Sequence, residues 1–171
     1  MIEVSNEVDI PAPPHQVWNA LVDFAGYRNW NPYVAIRGVA GDGSEIEWSL
    51  GSTLLKRRIW QKGQISEFNE PDVLKWSFGS RAVVVITECF FLQSTEKGTR
   101  LRHTASCRGM FMMLGKGLVR KRIEMIMAAE DKGLCRYFEA KAGLSKQAVR
   151  RMDKAHPQRR KSGRRTGKRP K

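Results

Sequence analysis

The apolar pattern of this 171-residue chain changes period once, and that change restricts the fold more than any other feature. At the start Ile2, Val4, Val8 and Ile10 alternate with Glu3, Glu7 and Asp9, the two-residue period of a half-buried strand. From Leu114 to about residue 142 the spacing becomes helical: Val119, Ile123, Ile126, Met127, Leu134 and Phe138 make one stripe. Lys121, Glu124, Lys132 and Glu139 fall on the other side, so the helix lies on something rather than being surrounded by it. The strands must supply that surface, which makes the class α+β. Gly133 interrupts the helix at a cost of about 1 kcal/mol relative to Ala and predicts a bend or a close packing contact.

Between these two regimes the chain is punctuated. Pro11, Pro13 and Pro14 end the first strand, and because proline is tolerated in a first helical turn, Pro13-Pro14 opens a helix through Val17, Trp18, Leu21 and Val22. A second short helical piece over 24–30 spaces Phe24, Tyr27 and Trp30 three apart and stops at Asn31-Pro32. Strands follow near 35–40, 44–50, 53–61, 64–69, 73–78, 83–93 and 99–108. The break between 53–61 and 64–69 is soft, and a bulge near Gly63 in one continuous strand is an equal reading. Short turns between successive strands predict an antiparallel meander.

Charge separates the chain into two parts. From Lys141 onward 13 Lys and Arg face the single Asp153, giving +12 of the net +14, so the body is nearly neutral. We expect a domain over residues 1–142 and, over 143–171, a basic tail that is disordered from about Ala155, because it buries too little to offset the entropy of ordering. The tail side chains Arg159, Arg160, Lys161, Arg164, Arg165, Lys168 and Arg169 offer nucleic-acid phosphates or an anionic membrane a sequence-blind attraction. They lack interleaved aromatics for base stacking, and a solvated extension is the plainer account. Cys89, Cys107 and Cys135 have neither redox nor metal spacing and read as reduced, buried thiols. No run approaches the ~20 apolar residues of a membrane span, and no basic segment leads into an apolar one at the start, so a cytoplasmic location is expected.

The details along this frame carry a resemblance. Ile10-Pro11-Ala12-Pro13-Pro14 with Val17-Trp18-Asn19-Ala20-Leu21, then Asp23-Phe24, Tyr27 and Trp30-Asn31-Pro32, form the first matching stretch. Glu70-Pro71-Asp72-Val73-Leu74-Lys75-Trp76, Phe90-Phe91-Leu92 and Gly98-Thr99-Arg100-Leu101-Arg102-His103 complete it. Over about residues 1–142 the chain resembles the START-like superfamily, also called SRPBCC, and within it the polyketide cyclase/dehydrase and lipid-transport branch. The resemblance implies a helix-grip fold: a curved seven-stranded antiparallel sheet wrapped around a long C-terminal helix, with two short helices after strand 1 and an apolar cavity between sheet and helix. It implies a protein that binds or carries a small hydrophobic molecule without a cofactor. That family has no shared catalytic signature, and the basic tail lies outside the resemblance.

If Glu96-Lys97-Gly98 turns the last hairpin, opposed positions sum to about 193, pairing Leu92 with Leu101 and Phe90 with His103. Glu88, Phe90, Leu92, Leu101, His103, Ala105 and Cys107 then share one face, the concave one, since Arg100, Arg102 and Arg108 belong in water. Glu88 and His103 become diagonal neighbours, a pair suited to acid/base work in a cyclase or dehydrase. The plainer account is a satisfied buried pair, or a Glu turned to the rim. No metal is expected, since neither His15 nor His156 is placed to join His103. Trp30, Phe78, Phe90, Leu92, Leu101, His103, Ala105, Ile123 and Met127 are the candidate ligand-binding residues, with Met110 and Met113 from the Met-rich connector before the long helix. Core packing accounts equally for many of these.

Overall fold

A computed structural model describes residues 1–51, 58–80, 83–109 and 115–155, with side chains through residue 143. Seven strands form one antiparallel sheet: β1 (Ile2–Ile10), β2 (Val34–Gly38), β3 (Glu45–Leu50), β4 (Ile59–Asn69), β5 (Val73–Ser80), β6 (Val84–Thr95) and β7 (Gly98–Arg108). Their order across the sheet is β1-β7-β6-β5-β4-β3-β2. Strands β2 to β7 are a meander, whereas β1 and β2, consecutive in the chain, lie at opposite edges. The segment joining them holds α1 (Pro14–Val22) and a 3₁₀ turn (Phe24–Asn29), and α2 (Lys116–Ala155) follows β7. This is the α+β helix-grip fold, a curved open sheet holding a long C-terminal helix.

Local chemistry places each piece. Pro14 occupies the first turn of α1, and Val17, Trp18 and Leu21 are buried from one stripe. The Asp23 carboxylate accepts a 3.0 Å hydrogen bond from the Gly26 N–H and starts the 3₁₀ turn. Tyr27 fixes the turn against α1 by donating its hydroxyl to the Leu21 carbonyl at 3.0 Å. Asn31, buried, then opens β2, its Oδ1 accepting from the Tyr33 and Val34 N–H groups at 3.0 and 2.8 Å.

Residues 59–61 of the first middle run and all of the second lie on one strand, β4, with no break between them. Its irregularity falls between Ile65 and Glu67 rather than at Gly63. Gly63 instead leaves no room for a side chain against β5, since a Cβ there would stand 2.8 Å from the Ser77 carbonyl oxygen and 3.0 Å from the Phe78 Cβ. Residues 53–57 of the expected strand over 53–61 lie outside the described residues.

Contacts divide the chain into Met1–Glu139 and Ala140–Lys171. The first unit carries the sheet, α1 and a core that runs from Trp18, Leu21 and Tyr27 through Ile65, Leu74, Trp76 and Leu101 to Leu134 and Phe138. The second is helical to Ala155, and the expected disorder from there on, with the basic residues beyond it, lies outside the described residues. No helix among the described residues is long and apolar enough to cross a membrane.

Candidate functional site

The hairpin register places the first two site residues. Leu92 pairs with Leu101, Phe90 with His103 and Glu88 with Ala105, so Glu88 and His103 are diagonal neighbours on the buried face. Phe90 and His103 stack at 4.2 Å between centroids. One strand further, Trp76 of β5 faces Glu88 and donates its indole N–H to Oε2 at 2.8 Å. On the other side, Asn6 of β1 faces His103.

Helix α2 completes the site with two acids inside its apolar stripe. Ile123, Met127, Leu134 and Phe138 are buried, and so are Glu130 and Asp131, which fill the gap between Met127 and Leu134. Asp131 accepts from His103 Nδ1 at 2.9 Å and from Asn6 Nδ2 at 3.0 Å. Glu130 accepts from Asn31 Nδ2 at 2.8 Å. The helix approaches closely because residue 133 is glycine: a Cβ there would collide with the Trp30 carbonyl oxygen and stand 3.7 Å from Pro32 Cδ. Of the two readings of Gly133, close contact is the one observed.

Glu88, His103 and Glu130 are each buried, and ligand-capable atoms of the three lie within 4.8 Å of one another. Burial pushes the Glu130 carboxyl up to about 8, helped by the Glu88 charge and opposed by His103 and the Asn31 hydrogen bond. Burial likewise raises Glu88, against the pull of His103 and the Trp76 N–H. At His103 burial disfavours the imidazolium, but the Asp131 hydrogen bond and charge, with Glu130 and Glu88 behind it, outweigh that and raise the group above its ordinary value.

Glu88 also faces a recess of about 350 Å³ between sheet and helix. The sheet side is Trp48, Leu50, Phe78, Ile86 and Glu88; the helix side is Leu118, Val119, Arg122, Ile123, Ile126 and Met127. Trp48 and Phe78 stack at 3.9 Å with their planes 12° apart, forming a flat aromatic wall. Leu118 is 78% exposed and marks the mouth, together with the exposed Arg122. A larger groove of about 620 Å³ lies on the outer face, where Cys89 and Phe91 sit among Glu67, Lys75, Thr87, Arg102 and Thr104.

Of the residues expected to touch a ligand, Phe78, Ile123 and Met127 line the recess, as does Glu88, expected as an acid/base group. Trp30, Phe90, Leu92 and Leu101 are packed in the main core, and Ala105 in a smaller cluster with Val4, Ile123 and Met127. His103 is fully buried in the polar cluster next to Glu88. Met110 and Met113, and the tail residues Arg159, Arg160, Lys161, Arg164, Arg165, Lys168 and Arg169, lie outside the described residues. Sequence reasoning missed Glu130, Asp131, Asn31 and Trp76 as members of the cluster. The signal for the first two was two acids at positions where the helical stripe demands inward side chains.

Sheet and helix together define the helix-grip class. A family model described as polyketide cyclase / dehydrase and lipid transport matches residues 1–139, and the chain belongs to that family. Among solved structures, a protein of Thermus thermophilus is similar at 20% identity and a TM-score of 0.67, covering 82% of this chain and 99% of that one. A protein of unknown function from Staphylococcus aureus is similar at 12% identity and a TM-score of 0.68, covering 83% and 96%. An AHSA1-like protein from Aeromonas hydrophila follows at 15% identity and 0.64, covering 82% and 94%. These likenesses concern the fold. No curated protein matches the chain.

Proposed function

We propose that the domain binds a small, largely apolar molecule in the recess between the sheet and the first turns of α2, with Glu88 as its polar contact. The observation that carries this reading is the composition of the walls: apart from Glu88 and Arg122 they are apolar and aromatic. Burying a guest there removes apolar surface from water at about 25 cal/mol per Å², and a site of this kind ordinarily spans about 300–1,000 Å³. The description of the family, with lipid transport in it, points the same way.

Filling the recess tests the proposal. Ile126 is half-buried on the helix side, so Ile126→Trp extends an indole into the space without removing a core residue. With the neutral probe N-phenyl-1-naphthylamine, the wild-type protein is expected to enhance probe emission with 1:1 saturation. Ile126→Trp is expected to weaken binding at least tenfold, about 1.4 kcal/mol, with an unchanged far-ultraviolet spectrum. Equal binding by both proteins would overturn the reading.

A second reading, in which the guest is also a substrate for proton transfer, is favoured by the position of Glu88 at once on the recess and in the buried cluster. It expects Glu88→Gln to lose turnover of a guest identified by native mass spectrometry by far more than any loss of affinity for it. Turnover equal to wild type would remove this reading and leave the binding module.

A further inference from the structure

Most polar atoms of the cluster have hydrogen-bond partners, and two buried ones do not. Glu88 Oε2 takes the Trp76 N–H, Glu130 Oε1 the Asn31 amide, His103 Nδ1 faces Asp131, and Asp131 also takes the Asn6 amide. Among the described residues, His103 Nε2 and Glu130 Oε2 have no partner at all, although His103 is 0% and Glu130 5% exposed. A buried polar atom left unpaired costs about as much as a lost hydrogen bond or more, and here two of them belong to side chains that converge. No Lys or Arg among the described residues forms an ion pair with these acids.

We infer that Glu88, His103 and Glu130 form a binding site for one divalent first-row transition-metal ion, of the Zn²⁺, Mn²⁺ or Fe²⁺ class. Two carboxylates and one imidazole are the donor set that these ions share. Three donors bonded tetrahedrally to one ion at about 2.0–2.2 Å lie about 3.3–3.6 Å apart, so atoms that already lie within 4.8 Å of one another close by about an ångström when the ion enters. Asp131 is the outer partner that such a site requires: by accepting from Nδ1–H it fixes the tautomer whose Nε2 carries the lone pair. Asn31 performs the same orienting function for Glu130. The sequence hides the site, because its ligands come from β6, β7 and α2 and form no short motif.

The test uses the full chain, stripped with a chelator and titrated separately with Zn²⁺, Mn²⁺ and Co²⁺. One ion per chain is expected to bind, at a dissociation constant of about micromolar or tighter for at least one of them. His103→Gln and Glu130→Gln are expected to abolish that site, and Asp131→Asn to weaken it about 10–100-fold. A measurement on the unmutated protein stands beside the variants in case they fold poorly. Paramagnetic Mn²⁺ or Co²⁺ should broaden the indole N–H signal of Trp76, which bonds Glu88, before that of Trp60, which lies under the Arg37 guanidinium. Absence of a saturable 1:1 site, an affinity unchanged in both Gln variants, or broadening that spares Trp76 would each overturn the inference.

Discussion

Gly133→Ala will destabilise the domain by about 3 kcal/mol, the upper part of the range for forced overpacking, although helix propensity alone predicts a gain of about 1 kcal/mol. The sign is decided by what the added methyl meets. Its position overlaps the Trp30 carbonyl oxygen, a backbone atom of the turn that Tyr27 and Asn31 anchor. A flexible side chain could swing aside; a carbonyl between two anchored residues cannot. The helix must therefore lift, and lifting it stretches the 2.8 Å hydrogen bond from Asn31 to Glu130 and loosens the seats of Leu134 and Phe138. Urea unfolding of the two proteins, compared at equal slope, measures the difference. A higher midpoint for Gly133→Ala would mean that α2 does not sit on the Trp30–Pro32 turn at all.

What the sequence disclosed and what it withheld follow from the reach of each signal. The pairing of Phe90 with His103 was legible because a tight turn at Glu96-Lys97-Gly98 fixes the count on both sides of it. The helix was legible from its stripe, yet Glu130 and Asp131 were hidden inside it. Their spacing placed them inward; their charge argued outward, and the charge is satisfied by Asn31, Asn6 and His103, none of which is near in sequence. Asn31 read as a helix stop, which it is, but its amide also holds a residue 99 positions away. Gly133 was marked as a choice between a bend and a contact, and only the position of Trp30 selects between them. The recess belongs to the same class of hidden feature, since Trp48, Phe78 and Ile126 come together through sheet curvature rather than any local pattern. Local rules therefore recovered elements and registers, while the site, made of pairings across the fold, needed coordinates.

The largest loss is expected where Asp131 meets His103. Asp131→Ala will cost about 3–5 kcal/mol, the usual penalty for removing one member of a buried pair, out of a total stability that for such domains is about 5–15 kcal/mol. Asp131 supplies both oxygens to buried or half-buried donors, His103 Nδ1 on β7 and Asn6 Nδ2 on β1. Without it the imidazole, which has no exposed surface in the native chain, keeps a donor facing an alanine methyl. The same reasoning fixes what a second mutation does. His103→Leu in the Asp131→Ala background removes the stranded donor and fills the space against Phe90 with carbon, so the double variant should be more stable than the Asp131→Ala protein. Chemical unfolding of the two singles and the double gives the coupling directly. Simple additivity would show that Asp131 and His103 stabilise the fold separately, and that the helix is held to the sheet by its apolar stripe alone.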